Sequence, residues 1–70
     1  MDRTPVSSSN VASVGYDREL QILEIEFLHG SIYQYFNVTE DVSEQLMAAS
    51  SKGRFLNQQI KPFHAYQKVG

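Results

Sequence analysis

The chain has no cysteine and no tryptophan, and only two prolines and four glycines in 70 residues. Without cysteine there is no disulfide, and no thiolate to hold a metal or attack a substrate. A domain this small buries only about 60% of the surface its unfolded chain exposes. Its stability must therefore come from apolar packing or from a partner chain. No apolar run reaches the ~18 residues of a membrane-spanning helix. Met1-Asp2-Arg3-Thr4-Pro5 has no apolar stretch behind its charges and does not read as a secretory signal. A cytoplasmic location is the expectation, and the glycosylation triplet Asn37-Val38-Thr39 is then a coincidence.

Catalytic chemistry is equally sparse. There is no Gly-rich phosphate loop, Walker lysine or triad spacing. The run Ser7-Ser8-Ser9 has no nucleophile motif around it. His29 and His64 stand far apart with no metal-ligand spacing between them. A cavity of a few hundred Å³ is hard to enclose in so small a domain. The expectation is a non-catalytic protein with no metal and no cofactor.

Acid is missing from one end. Residues 51–70 carry Lys52, Arg54, Lys61 and Lys68 and no Asp or Glu, a local charge of +4. All eight acids lie in residues 1–50 with two bases, giving −6 there and −2 in total. The ordinary reading is internal complementarity; the sharper one is a basic patch for phosphate or an acidic protein. The acidic balance argues against strong non-specific nucleic-acid binding.

What the chain does have is a hairpin from Leu23 to Phe36. Leu23, Ile25 and Phe27 alternate with Glu24 and Glu26, the period of a half-buried strand. Two registers are open. A three-residue loop Leu28-His29-Gly30, closing on a left-handed glycine, pairs Ile25 with Tyr33 and Leu23 with Tyr35. The tyrosines then face the core with their hydroxyls at its rim. A two-residue turn at His29-Gly30 exchanges the faces, burying Ile32 and Phe36 and exposing the tyrosines. The first is favoured, because His serves a type I′ turn poorly. Glu24 and Glu26 are expected in solvent, protecting the sheet.

Residues 1–8 read as a flexible lead. Asn10 to Tyr16 follows as a strand, in which Gly15 signals a bulge or a close backbone approach. With a four-residue connection Asp17-Arg18-Glu19-Leu20, Tyr16 faces Gln21, Val14 faces Leu23 and Ala12 faces Ile25. After the sheet, Thr39 or Asp41 can cap a helix. Its stripe is Val42, Leu46 and Ala49, widened by Met47 and Ala48. Arg54 to Lys61 is a shorter helix with Phe55, Leu56, Gln59 and Ile60 on one side, stopped by Pro62. The fold class is thus α+β: a three-stranded antiparallel β-meander with one longer and one short helix C-terminal to it, packed on one sheet face. The domain runs over 9–66, with a tail at 67–70.

Tyr33 and Tyr35, adjacent on one strand face, can stack on unpaired bases, and Arg54 and Lys61 can take phosphates. Against this, four tyrosines and four phenylalanines are what a 70-residue core requires.

Taken in order, these pieces resemble the KTSC domain, named for the C-terminus of some lysyl-tRNA synthetases and also found as a small stand-alone bacterial protein. The resemblance runs from Val6-Ser7-Ser8-Ser9 and Val14-Gly15-Tyr16-Asp17 to Leu23-Glu24-Ile25-Glu26-Phe27, Gly30 and Tyr33-Gln34-Tyr35. It closes with Asn37-Val38, Ala49-Ser50, Gly53-Arg54-Phe55-Leu56-Asn57 and Ile60. Thr39 replaces the family's usual proline, so the helix start is left to side-chain capping, and the loop Asp17 to Leu20 is short. The resemblance implies a family of unestablished function with a suggestion of RNA, either tRNA or single-stranded. A protein-interaction module is the alternative, for which a homodimer is one form, driven by an exposed edge of the first or third strand or by the opposed acidic and basic ends.

Overall fold

The computed structural model describes all 70 residues, Met1–Gly70. Five antiparallel strands lie in sequence order: β1 (Thr4–Pro5), β2 (Val11–Asp17), β3 (Ile22–Phe27), β4 (Ile32–Tyr35) and β5 (Tyr66–Lys68). Between β4 and β5 run helix α1 (Glu40–Ala48) and the short α2 (Lys52–Phe55), which continues into a π-helical turn over Leu56–Ile60. The expected meander is present as β2–β3–β4. The lead expected over 1–8 and the tail expected over 67–70 both add strands to it, so the sheet has five strands rather than three. Those additions are two and three residues long, too short to carry an alternating pattern. They also cover the edges of β2 and β4 through which a homodimer was expected to pair.

The central hairpin takes the three-residue loop. Leu23 pairs with Tyr35 and Ile25 with Tyr33. The Gly30 amide donates to the Phe27 carbonyl at 2.9 Å, and Gly30 has φ 105°. A type I turn closed by a left-handed glycine keeps the aromatic and aliphatic side chains together on one face. Ile32 and Phe36 stay out of the core.

The β2–β3 hairpin differs from expectation by two residues: Tyr16 faces Leu23 and Val14 faces Ile25. Asp17 remains in the strand, and its Oδ1 accepts the amides of Glu19 and Leu20, each at 3.0 Å. The turn thus moves to Arg18–Gln21, with Gln21 at φ 55°. A shift of two leaves the side chains of Ser13 to Tyr16 on their expected faces. The bulge sits at Ala12, between the paired residues Val11 and Ser13, and not at Gly15. It turns Val11 onto the core side, where it is fully buried. Gly15 instead marks a close approach, since a Cβ there would stand 2.7 Å from the Asp2 carbonyl oxygen.

The core joins Val11, Val14, Leu23, Ile25, Phe27 and Tyr35 of the sheet to Val38, Leu46, Leu56 and Ile60. Helix α1 contributes Leu46, buried Ser43 and half-buried Val42; Ala49, expected in its stripe, is the half-buried residue that ends the helix, and Met47 and Ala48 point outward and do not widen the stripe. Thr39 occupies the N-cap position, but its side chain makes no capping hydrogen bond. Ser51 does cap α2, accepting the Arg54 amide at 3.3 Å. In the π-helical turn Leu56 and Ile60 are buried while Gln59 is exposed. The turn closes with the Lys61 amide donating to the Leu56 carbonyl at 2.9 Å.

Candidate functional site

Where the helices leave the sheet uncovered, the side chains of β3, β4 and β5 form a continuous aromatic ribbon. Register places Tyr33 and Tyr35 on one face of β4, with Lys68 and Tyr66 opposite them on β5. Tyr66 lies 5.9 Å, centroid to centroid, from both Tyr33 and Tyr35. Tyr33 meets Phe27 edge-on at 5.8 Å. Phe27 in turn stacks on His29, 5.5 Å away and only 8° from parallel. Each of these separations lies in the range where aromatic quadrupoles attract.

An open groove of about 450 Å³ runs along this ribbon, with Asn10 and Lys61 as its other walls. The expectation is that so small a domain can hardly enclose a cavity of this size. The groove is open, not enclosed: the sheet is wider than the helices that pack on it. Lys61 follows the π-helical turn directly, and its Nζ stands 5.5 Å from the centre of the Phe27 ring, in cation–π range. No acid lines the groove, so Lys61 is its one formal charge. Beyond Lys61, the His64 Nδ1–H donates to the Phe36 carbonyl at 2.9 Å and anchors the approach to β5.

The four residues singled out from sequence fare differently. Tyr33 is half-buried and lines the groove, as does Lys61, which is exposed. Tyr35 is only 2% exposed and forms the groove floor. Burial first, then the charge of Tyr33 and Tyr66, raises its phenol to about 12. Arg54 is elsewhere, in a depression on the helical side with Gln45, Ser50 and Gln59. Tyr66, 61% exposed, and exposed His29 complete the groove. Their part in it depends on pairing between β4 and β5 and on the hairpin loop, which no local pattern reveals.

The opposite face of the sheet is closed by polar groups. Glu24, expected in solvent, is only 7% exposed. It accepts a hydrogen bond from Gln34 Nε2 at 2.8 Å and pairs with the Arg3 guanidinium. Arg3 Nε also donates to Ser13 Oγ at 3.0 Å, and Ser13 donates to Glu26 at 2.8 Å. Burial alone would raise the Glu24 carboxyl. Hydrogen bonds from Gln34 and Arg3, with the Arg3 charge, outweigh it and hold the group below the usual glutamate value. Glu24 is a buried network member rather than a solvated edge charge because the residue before β1, Arg3, pairs with it, and half-buried Glu26 joins the network through Ser13. His, Asp and Glu side chains nowhere gather into a group of three that would hold a metal. No helix is long and apolar enough to cross a membrane.

A family model, the KTSC domain, matches residues 7–66. The chain belongs to the KTSC domain family. A KTSC domain protein from Yersinia pestis has the same fold: its crystal structure superposes with a TM-score of 0.92 at 44% identity, covering 99% of this chain and 97% of the other. This KTSC domain is also 47% identical over 64 residues to an uncharacterized protein of Stutzerimonas stutzeri, spanning 91% of the one and 90% of the other. It is 43% identical over 61 residues to a lysine–tRNA ligase of Nostoc punctiforme, where the match covers 87% of this chain but 11% of the ligase. The KTSC fold therefore occurs as a small protein and as a segment of a much larger one.

Proposed function

We propose that this KTSC domain is a small non-catalytic RNA-binding module whose contact surface is the aromatic groove. The observation that carries the reading is the groove itself: exposed and half-exposed aromatic rings beside Lys61, with no acid among them. Lys68, opposite Tyr33 across the β4–β5 ladder, lies on the same face and adds a second cation for phosphate. Aromatic rings beside basic side chains on a sheet are one way single-stranded RNA is held. Likeness to a segment of an enzyme named for tRNA points the same way. Tyr33 and Lys61 act directly, Tyr35 acts as the floor, and Arg54 reaches only phosphates that run past the helical side.

Titration with tRNA and with short single-stranded RNA at low salt tests this. Binding tighter than roughly 100 μM is expected, weakening as salt rises. No binding to either RNA at that concentration, or binding that is unchanged in a folded Lys61→Gln, Lys68→Gln double variant, refutes it.

A further inference from the structure

We infer that the groove takes one unstacked nucleotide of a single strand, with its base on the outer face of Tyr66 and its phosphate at Lys61. The inference rests on the RNA-binding reading and narrows it, naming the ligand unit and the ring that holds it. Stacking needs a ring with a free face. Tyr35 has none, because it is 2% exposed and forms the floor. Phe27 is nearly as buried and is flanked by His29, the Tyr33 edge and the Lys61 ammonium. Tyr33 is half-covered by neighbours on three sides: Phe27, Tyr35 and Tyr66. Tyr66 is different. It is 61% exposed, yet its position is fixed by β5 pairing and by two ring contacts at 5.9 Å. A ring that is both held and open is a platform, and every base has a π-face to offer it.

The occupant must also be anionic at one end, since the groove's one formal charge is the Lys61 ammonium and no carboxylate opposes it. A volume of about 450 Å³ lies at the low end of the range for small-ligand sites. It suits a single nucleotide and not a length of helix. Duplex RNA keeps its bases stacked on one another, so their faces are unavailable to Tyr66. A purine, with the larger π-face, is the stronger ligand.

The probe is adenosine monophosphate, followed by amide chemical shifts of the whole chain, with adenosine, inorganic phosphate and a short RNA duplex alongside. AMP should move resonances of Tyr33, Lys61 and Tyr66 and leave those around Arg54 in place. Tyr66→Leu keeps apolar bulk but removes the π-face, and should weaken AMP by about 5- to 150-fold. Tyr66→Phe should retain binding. Lys61→Gln should weaken AMP and leave adenosine unchanged. The duplex should bind more weakly than a single strand of equal length. AMP that shifts no groove resonance, Tyr66→Leu that binds AMP as tightly as the unaltered protein, or a duplex that binds as well as a single strand each overturns the inference. If tRNA still binds with Lys61 and Lys68 in those cases, the broader RNA reading survives; if no RNA binds, both fall. Stronger binding of an aromatic peptide carboxylate than of AMP also overturns it and assigns the groove to a peptide.

Discussion

The two faces of the sheet share its central strands but are closed by different means. On one, Leu23, Ile25 and Tyr35 pack under the helices, and the packing ends before the sheet does, leaving aromatic rings in the open. On the other, Glu24, Glu26, Ser13 and Gln34 are tied together beneath Arg3, which the N-terminal strand delivers. The apolar face is sealed by area and leaves a remainder. The polar face is sealed by geometry, and every buried side-chain polar atom finds a partner. The remainder is where a ligand has room.

If that contrast is right, the largest loss comes from within the covered part of the apolar face. Ile25→Ala removes a fully buried core side chain, flanked in the sheet by Val14 and Tyr33, and should cost about 2–5 kcal/mol in chemical denaturation. Arg3→Ala comes second. It leaves the Glu24 carboxylate without its cation, and loss of a hydrogen bond to a charged group costs about 1.5–3 kcal/mol. Should Arg3→Ala prove harmless, β1 would be an ornament and the polar face not closed by it.

The pH dependence sharpens the same point. The Glu24 carboxyl is held below the ordinary glutamate value of 4.5 in the folded protein. Its contribution is therefore present above that value and lost as pH falls through the lower, folded-state value. Glu24→Gln should flatten the acid limb of a stability-versus-pH curve below about pH 4.5 relative to the unaltered protein. Parallel curves for the two proteins would mean that Arg3 and Gln34 do not favour the charged form.

Much of this was legible in the residues. Alternation from Leu23 to Phe27, together with Gly30, set the hairpin register, because a left-handed residue and a period of two are local properties. Val42 and Leu46 set the helix face for the same reason. The outer strands were not legible: Thr4-Pro5 and Tyr66-Gln67-Lys68 become strands only because β2 and β4 offer them unpaired edges. Two further misreadings follow from that omission. Without β1 there is nothing to cover Glu24, which then reads as solvated. Without β5 there is nothing to bring Tyr66 to Tyr33, and the groove is invisible. Arg54 and Lys61 were grouped as cations for phosphate, but the π-helical turn between them leaves them on different sides of the domain.

The smallest effect on folding at neutral pH is expected from the groove floor, where the measurement is ionisation and not stability. Burial, with the charge of its two neighbouring tyrosines, raises Tyr35 to about 12. A raised phenol favours the folded state while neutral, so that contribution is complete below the ordinary tyrosine value of 10.0 and is lost between there and about 12. Tyr16 is raised too, by burial and then by the Glu40 and Asp17 carboxylates, but less far. Followed by the ultraviolet phenolate band, Tyr35 should therefore ionise last, and Tyr35→Phe should delete the step near 12. AMP bound on Tyr66 should leave the Tyr35 step in place, since the floor is already covered by protein. If Tyr35→Phe leaves that step in place, Tyr35 is not the covered floor of the groove, and the apolar face is open further in than its packing suggests.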